Sequence, residues 1–224
     1  PGPESAFLGA LGHTGVTAYI GCELGEVGEG DTVVISAACG AVGGVAGQVA
    51  RQRGAGRVVG IAGGPEKCAH AVEKLGYDAC VDHRADDWRE QLDAATPDGI
   101  DVDFENVGGP IMDHILMRLN IGARVALCGM IAEYNTYNEG GEHAGGLTNI
   151  GQLIMQRATI QGFLVLDYGD RFEEAIGYLG TLLAEGKLHY DETIVDGGIE
   201  VAVDTLAELF DGRNMGKLLV RVAE

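Results

Sequence analysis

Basic residues are scarce in this chain: 15 Lys and Arg stand against 34 Asp and Glu, a formal net charge of −19 over 224 residues. A surface this acidic repels phosphate polyanions and anionic bilayers, which argues against nucleic acid or membrane as a partner. Any anionic ligand must then be met by a local positive site. Composition does not separate a solubility adaptation to salt from chance. No apolar run approaches a membrane span, and no signal-peptide pattern is visible. Cysteine is limited to five residues, an odd number at irregular spacings with no C-x-x-C pair. That spacing excludes a disulfide framework and a structural zinc knot, and it implies free thiols in a reducing, cytoplasmic compartment. The 37 glycines lack the three-residue period of collagen, so they read as turns and close backbone approaches. The chain opens Pro1-Gly2-Pro3 with no initiator Met, which fits a fragment.

What is present is an alternation. Strand candidates fall at 33–37, 57–62, 79–82, 101–105, 124–128 and 159–163, with helical stretches between them at 43–53, 66–75, 86–95, 110–118 and 149–157. Short apolar strands alternating with helices predict βαβ crossovers and a parallel sheet covered on both faces, an α/β doubly wound fold. A helical pattern around Thr17, Ala18, Tyr19 and Ile20 predicts a lead-in helix covering one edge of that sheet. After Phe163 the order changes to a helix at 171–185, a strand at 193–195, a helix at 201–210 and a strand at 217–222, the last belonging to a second sheet. The expected division is a lead-in over 1–30, a nucleotide-binding domain over 31–189 and a C-terminal segment over 190–224.

The stretch 31–53, D-T-V-V-I-S-A-A-C-G-A-V-G-G-V-A-G-Q-V-A-R-Q-R, is a β-branched run, a glycine turn and a small-residue helix. This is the strand, phosphate loop and helix of a dinucleotide site, with Ala38 in the place of the first fingerprint glycine and Gly40 and Gly43 as the second and third. At the end of the second strand stands A-G-G-P-E-K (62–67), with no carboxylate at the strand end to bind a ribose 2′-hydroxyl. Lys67, at the start of the next helix, favours a 2′-phosphate and therefore NADP(H) over NAD; the alternative is a solvated lysine paired with Glu66 or Glu73. The loops E-N-V-G-G (105–109) and C-G-M-I (128–131) end later strands and face the same crevice. His13, His70, His114, His143 and His189 show no ligand spacing and read as surface or core residues. Trp88, Tyr168, Phe172 and Tyr178 read as packing. The glycine-rich loop 139–146 reads as a mobile flap or as plain surface.

These motifs, with C-G-M-I-A-E-Y-N (128–135), Q-G-F-L-V (161–165) and N-M-G-K (214–217), resemble the zinc-independent medium-chain dehydrogenase/reductases, in the prostaglandin reductase, leukotriene B4 12-hydroxydehydrogenase and curcumin reductase branch. The resemblance implies a Rossmann domain binding NADP(H) and reduction of the C=C bond of α,β-unsaturated ketones and aldehydes. It implies that Gly40, Ala41, Val42 and Gly43 cradle the pyrophosphate and that Lys67 holds the 2′-phosphate. Asn106, Cys128, Gly129, Met130, Ile131, Tyr134, Phe163, Leu164, Val165 and Asn214 would line the ribose and nicotinamide. Where many relatives carry a Tyr in an N-Y-K segment, this chain has Asp82-His83-Arg84, so His83 is the expected phosphate contact. The family's N-terminal substrate lobe is absent from the sequence, and a homodimer joined through a sheet edge is implied.

For an enone, hydride transfer to the β-carbon builds negative charge on the carbonyl oxygen, and a hydroxyl placed there lowers the barrier. Tyr134 is the candidate donor, with a rim tyrosine that only packs as the alternative. No zinc-ligand cluster appears in the sequence to replace it. A quinone reductase of the same fold and a nucleotide-binding module with no chemistry of its own remain open.

Overall fold

The structure, a computed structural model, describes residues 3–134, 146–210 and 212–222. His143 and nearly all of the predicted flap lie outside them. β1 (Thr32–Ser36) is buried along Val33, Val34 and Ile35, as a strand covered on both faces must be. It pairs in parallel with β2 (Arg57–Ala62) on one side and β4 (Ile100–Glu105) on the other. β3 (Ala79–Asp82) extends the sheet beyond β2, and β5 (Leu119–Leu127) and β6 (Thr159–Gly162) extend it beyond β4, giving the order β3-β2-β1-β4-β5-β6. This is the Rossmann order, with its reversal between β1 and β4. Ligands of such sheets bind outside the carboxyl ends of the strands at that reversal.

Helices cover both faces. α1 (His13–Leu24), α2 (Gly43–Gln52), α3 (Pro65–Glu73) and α7 (Phe172–Ala184) enclose one core with Val33, Ile35 and Phe104. α4 (Trp88–Ala95), α5 (Gly109–Arg118) and α6 (Gln152–Gln156) enclose the other with Val34, Ile61 and Val125. The lead-in helix does not cover a sheet edge. α1 lies in the face layer, packed against α2 and α7, and every residue from Gly15 to Cys22 is buried. A helix buried all round has no polar stripe, so its pattern could not reveal which surface it covers. Its closeness to the sheet depends on Gly21, where a Cβ would stand 2.4 Å from the Phe104 ring. β5 begins earlier than expected, because its register to β4 shifts between Ile100 and Val102.

Beyond α7 the chain forms a separate two-stranded parallel sheet, β7 (Glu192–Asp196) with β8 (Lys217–Arg221), and α8 (Ala202–Phe210) between them.

One buried group has no compensation. Asp103, on the central strand β4, is fully buried, and neither carboxylate oxygen has a hydrogen-bond partner among the described residues. Burial, reinforced by the Glu105 charge, pushes its carboxyl well above the usual range, so the neutral acid occupies the fold. The folded chain therefore binds a proton that the unfolded chain releases, and stability falls as pH rises out of the ordinary carboxylate range. Asp103→Asn removes that slope. Urea unfolding should show similar stability for the two proteins near pH 4 and an advantage of about 1–3 kcal/mol for the variant at pH 8, the order of an unsatisfied buried group; a constant difference across that range would contradict the neutral acid.

Candidate functional site

The carboxyl ends of β1 to β5 hold the residues that the sequence singled out. After β1 the backbone turns at Ala37, whose φ of +51° lies in the left-handed region usually left to glycine. Gly40 N–H donates to Ala37 O at 2.8 Å and closes the turn. α2 then starts so close that a Cβ on Gly43 would stand 2.3 Å from Ala37 O. Gly43 thus has the role of the third fingerprint glycine. The small residue at Ala38 is matched across the sheet by Gly60, where a Cβ would lie 2.7 Å from Ala38 Cβ. The N-cap residue Val42 makes no side-chain cap, and the Gly44, Val45 and Ala46 amides are met by the Gly40 and Val42 carbonyls. The C-terminal segment docks on this loop: Gly216 N–H donates to Cys39 O at 2.8 Å.

At the ends of β2 and β3 three basic side chains gather in this acidic chain. A Cβ on Gly63 would approach His83 Nε2 to 2.9 Å and Arg84 Nε to 3.0 Å, so both side chains lie directly against this turn. Asp82 does not oppose them at the surface. Its carboxylate accepts from Gly64 N–H at 2.7 Å and Arg84 N–H at 3.0 Å. Burial tends to raise its carboxyl, but these donors and the neighbouring cations hold it below the usual range. Partial burial and the Arg84 charge lower both His83 and Lys67. Lys67 Nζ donates to Gly212 O at 2.8 Å and Asn214 O at 2.6 Å, using two of its three N–H bonds. Lys67 is therefore neither a solvated lysine nor paired with Glu66 or Glu73; it ties α3 to the 212–214 loop.

Across the reversal point, Ser36 and Glu105 join β1 to β4. Ser36 Oγ donates to Glu105 Oε1 at 2.6 Å, and Val107 and Gly108 N–H donate to the same oxygen at 2.5 and 3.0 Å. Asn106 is fixed by its own N–H to Ser36 Oγ at 2.7 Å and by its amide to Ser36 O at 2.8 Å. Cys128 and Gly129 N–H both donate to Glu105 O, which brings the end of β5 alongside. Burial raises the Glu105 carboxyl, an effect these donors partly offset. Tyr134 folds back over this platform: Met130 N–H donates to its hydroxyl at 3.3 Å, and a Cβ on Gly129 would meet that oxygen at 3.0 Å. With its oxygen accepting, the half-exposed tyrosine keeps its own proton to donate.

Ile131 and Leu164 are exposed beside this platform, and Phe163 packs edge-on to Phe104 at 6.4 Å. Val165 differs: it is 3% exposed, inside the core with α1 and α7, so its side chain does not face the crevice. Ser36 was not singled out from sequence, since a serine ending a strand carries no distinguishing signal. The histidines also differ from expectation. His70 and Asp191, 121 residues apart, are hydrogen-bonded at 2.7 Å, and His189 Nε2 lies 3.1 Å from the same carboxylate. No spacing rule finds a group assembled across that distance.

A parallel sheet of this order, with a glycine loop at its reversal point and a basic cluster at the next strand ends, defines a dinucleotide-binding α/β domain. The sequence profile of the family described as zinc-binding dehydrogenase matches residues 41–180, and the chain belongs to that family. It is 44% identical over 227 residues to the NADPH-dependent curcumin reductase of Escherichia coli (strain K12), covering 100% of this chain and 65% of that protein. A 2-alkenal reductase (NADP+-dependent) of Nicotiana tabacum is 39% identical, covering 99% of this chain and 63% of that protein. The crystal structure of CurA in complex with NADPH from Vibrio vulnificus superposes with a TM-score of 0.91 at 43% identity, over 98% of this chain and 65% of that one. The chain thus spans somewhat under two thirds of the length of these relatives.

Glu105→Ala leaves the Ser36 hydroxyl and the Val107 and Gly108 amides without their acceptor. It should cost about 2–4 kcal/mol in chemical denaturation, the sum of several unmade buried hydrogen bonds, whereas Glu105→Gln, which keeps an acceptor oxygen, should cost less than half as much. Equal losses would show that the oxygen is not what matters.

Proposed function

We propose that this chain is the NADP(H)-binding part of a zinc-independent reductase acting on the C=C bond of α,β-unsaturated ketones and aldehydes. The observation that carries the cofactor reading is the pair His83 and Arg84 over Gly63, with Lys67 close enough to feel the Arg84 charge, in a chain of net charge −19. Basic side chains gathered where β2 ends without a carboxylate for a ribose hydroxyl suit an anion such as a 2′-phosphate. Ala41, Val42 and Gly43 present backbone amides to the pyrophosphate, and Gly40 closes the turn that carries them; Lys67, His83 and Arg84 meet the 2′-phosphate. Asn106, Cys128, Gly129, Met130, Ile131, Phe163, Leu164 and the 214–216 backbone form the walls nearer the reacting end, and Val165 supports them from the core.

NADPH supplies the hydride when bound. The chain's own contribution is positional and electrostatic. Asn106 is held by Ser36 so that its backbone and amide cannot swing, and Tyr134 offers its proton where an enone oxygen gathers negative charge.

The segment 190–224 completes a second lobe. α8 turns Val203, Leu206 and Phe210, one helical stripe, to solvent, a surface that an adjoining substrate lobe would cover. A homodimer is supported by β6, a sheet edge flanked by exposed Ile154, Met155 and Leu164, and light scattering at twice the chain mass would register it. In the protein completed by its substrate lobe, NADPH oxidation should be faster with an enone than with a quinone, and Tyr134→Phe should cut enone turnover by about 10²-fold with little change in NADPH affinity. Undiminished turnover would remove the donor role, and faster quinone reduction would reassign the substrate class.

A further inference from the structure

We propose that His70, His189 and Asp191 form a binding site for a first-row transition-metal dication of the zinc class, which staples α3 to the segment entering β7. One nitrogen from each imidazole and one carboxylate oxygen lie within 4.8 Å of one another, and among the described residues this is the one group of three such donors. In a tetrahedral zinc site, bonds of about 2.0–2.1 Å put ligand atoms roughly 3.3 Å apart. The widest side of the triangle therefore closes by up to about 1.5 Å while the 2.7 Å His70–Asp191 contact opens slightly, both within the reach of side-chain rotation. Asp191 already lies between the two rings, its Oδ2 at 2.7 Å from His70 and Oδ1 at 3.1 Å from His189.

The backbones behind the three donors are fixed separately. Gln48 on α2 clamps His189 from both sides, accepting its N–H and donating to its carbonyl, each at 2.7 Å. Asp191 O accepts from Lys217 N–H at 2.9 Å, which ties it to β8. His70 sits on α3, one turn after Lys67. Two imidazoles and one carboxylate suit zinc, nickel, cobalt or copper better than calcium or magnesium, and they leave a fourth position for water. The site is distinct from the Asn106–Tyr134 platform. Its role is bracing: an ion here locks α3 to the segment entering β7, the strand that pairs with β8 just after the 212–214 loop whose carbonyls Lys67 grips.

The test is titration of the chelator-stripped chain with Co2+ and then Zn2+, read by absorbance and by thermal unfolding. The expected result is one ion per chain, a ligand-field spectrum without thiolate-to-metal charge transfer, displacement by Zn2+, and a melting temperature that rises with ion concentration. His189→Gln, a half-exposed position whose loss leaves packing intact, and His70→Gln should each weaken uptake at least tenfold. Absence of stoichiometric uptake by the unaltered chain, a thiolate charge-transfer band, or uptake unchanged in both variants would overturn the proposal. None of these readouts involves NADPH or an enone, so their outcome is independent of the reductase reading.

Discussion

The carboxylate of Glu105 ties together the two strands between which the sheet reverses. Everything the crevice offers depends on β1 and β4 ending at the same height, and that is set by one buried oxygen shared among the Ser36 hydroxyl and the amides of Val107 and Gly108. The same residue's carbonyl receives Cys128 and Gly129, so β5 is aligned through it as well. A buried acceptor with this many donors is costly to remove and cheap to keep. It makes the strand-end platform a rigid object rather than a set of loops.

The phosphate side is built by close approach instead of by charge. Gly43 and Gly60 are glycines because backbone or methyl groups occupy the space a Cβ would need, and Ala37 takes up the left-handed conformation. Charge enters at Lys67 and Arg84, with the His83 imidazole held toward its neutral form beside them, and Asp82 and the 212–214 carbonyls lie among the cations. The C-terminal segment is thus part of the cofactor side of the molecule. Gly216 bonds to the phosphate loop, and Lys67 holds the residues just before it.

Much of this was legible in the sequence, for physical reasons. β-branched runs such as Thr32–Ser36 and the glycine turn after them have no other stable use, so the strands, helices and crevice loops could be read in order. α1 could not be located, since a helix buried all round leaves no periodic signal. Asp103 was equally invisible: an acid within a strand reads as a solvent-facing residue, and only packing places it in the core. The partners of Lys67 and the meeting of His70 with Asp191 depend on a long return of the chain that no local pattern encodes. Ser36 carries no signal at all until its neighbour across the sheet is known.

The central claim, that this crevice is built for a dinucleotide bearing a 2′-phosphate, is tested most directly by fluorescence titration of the 1–224 chain and its Lys67→Ala variant with NADPH and NADH. NADPH should bind the unaltered chain at least tenfold more tightly than NADH, about 1.4 kcal/mol, and that preference should collapse in the variant while NADH binding changes little. Equal affinity for the two cofactors in the unaltered chain, or a preference untouched by removing Lys67, would contradict it.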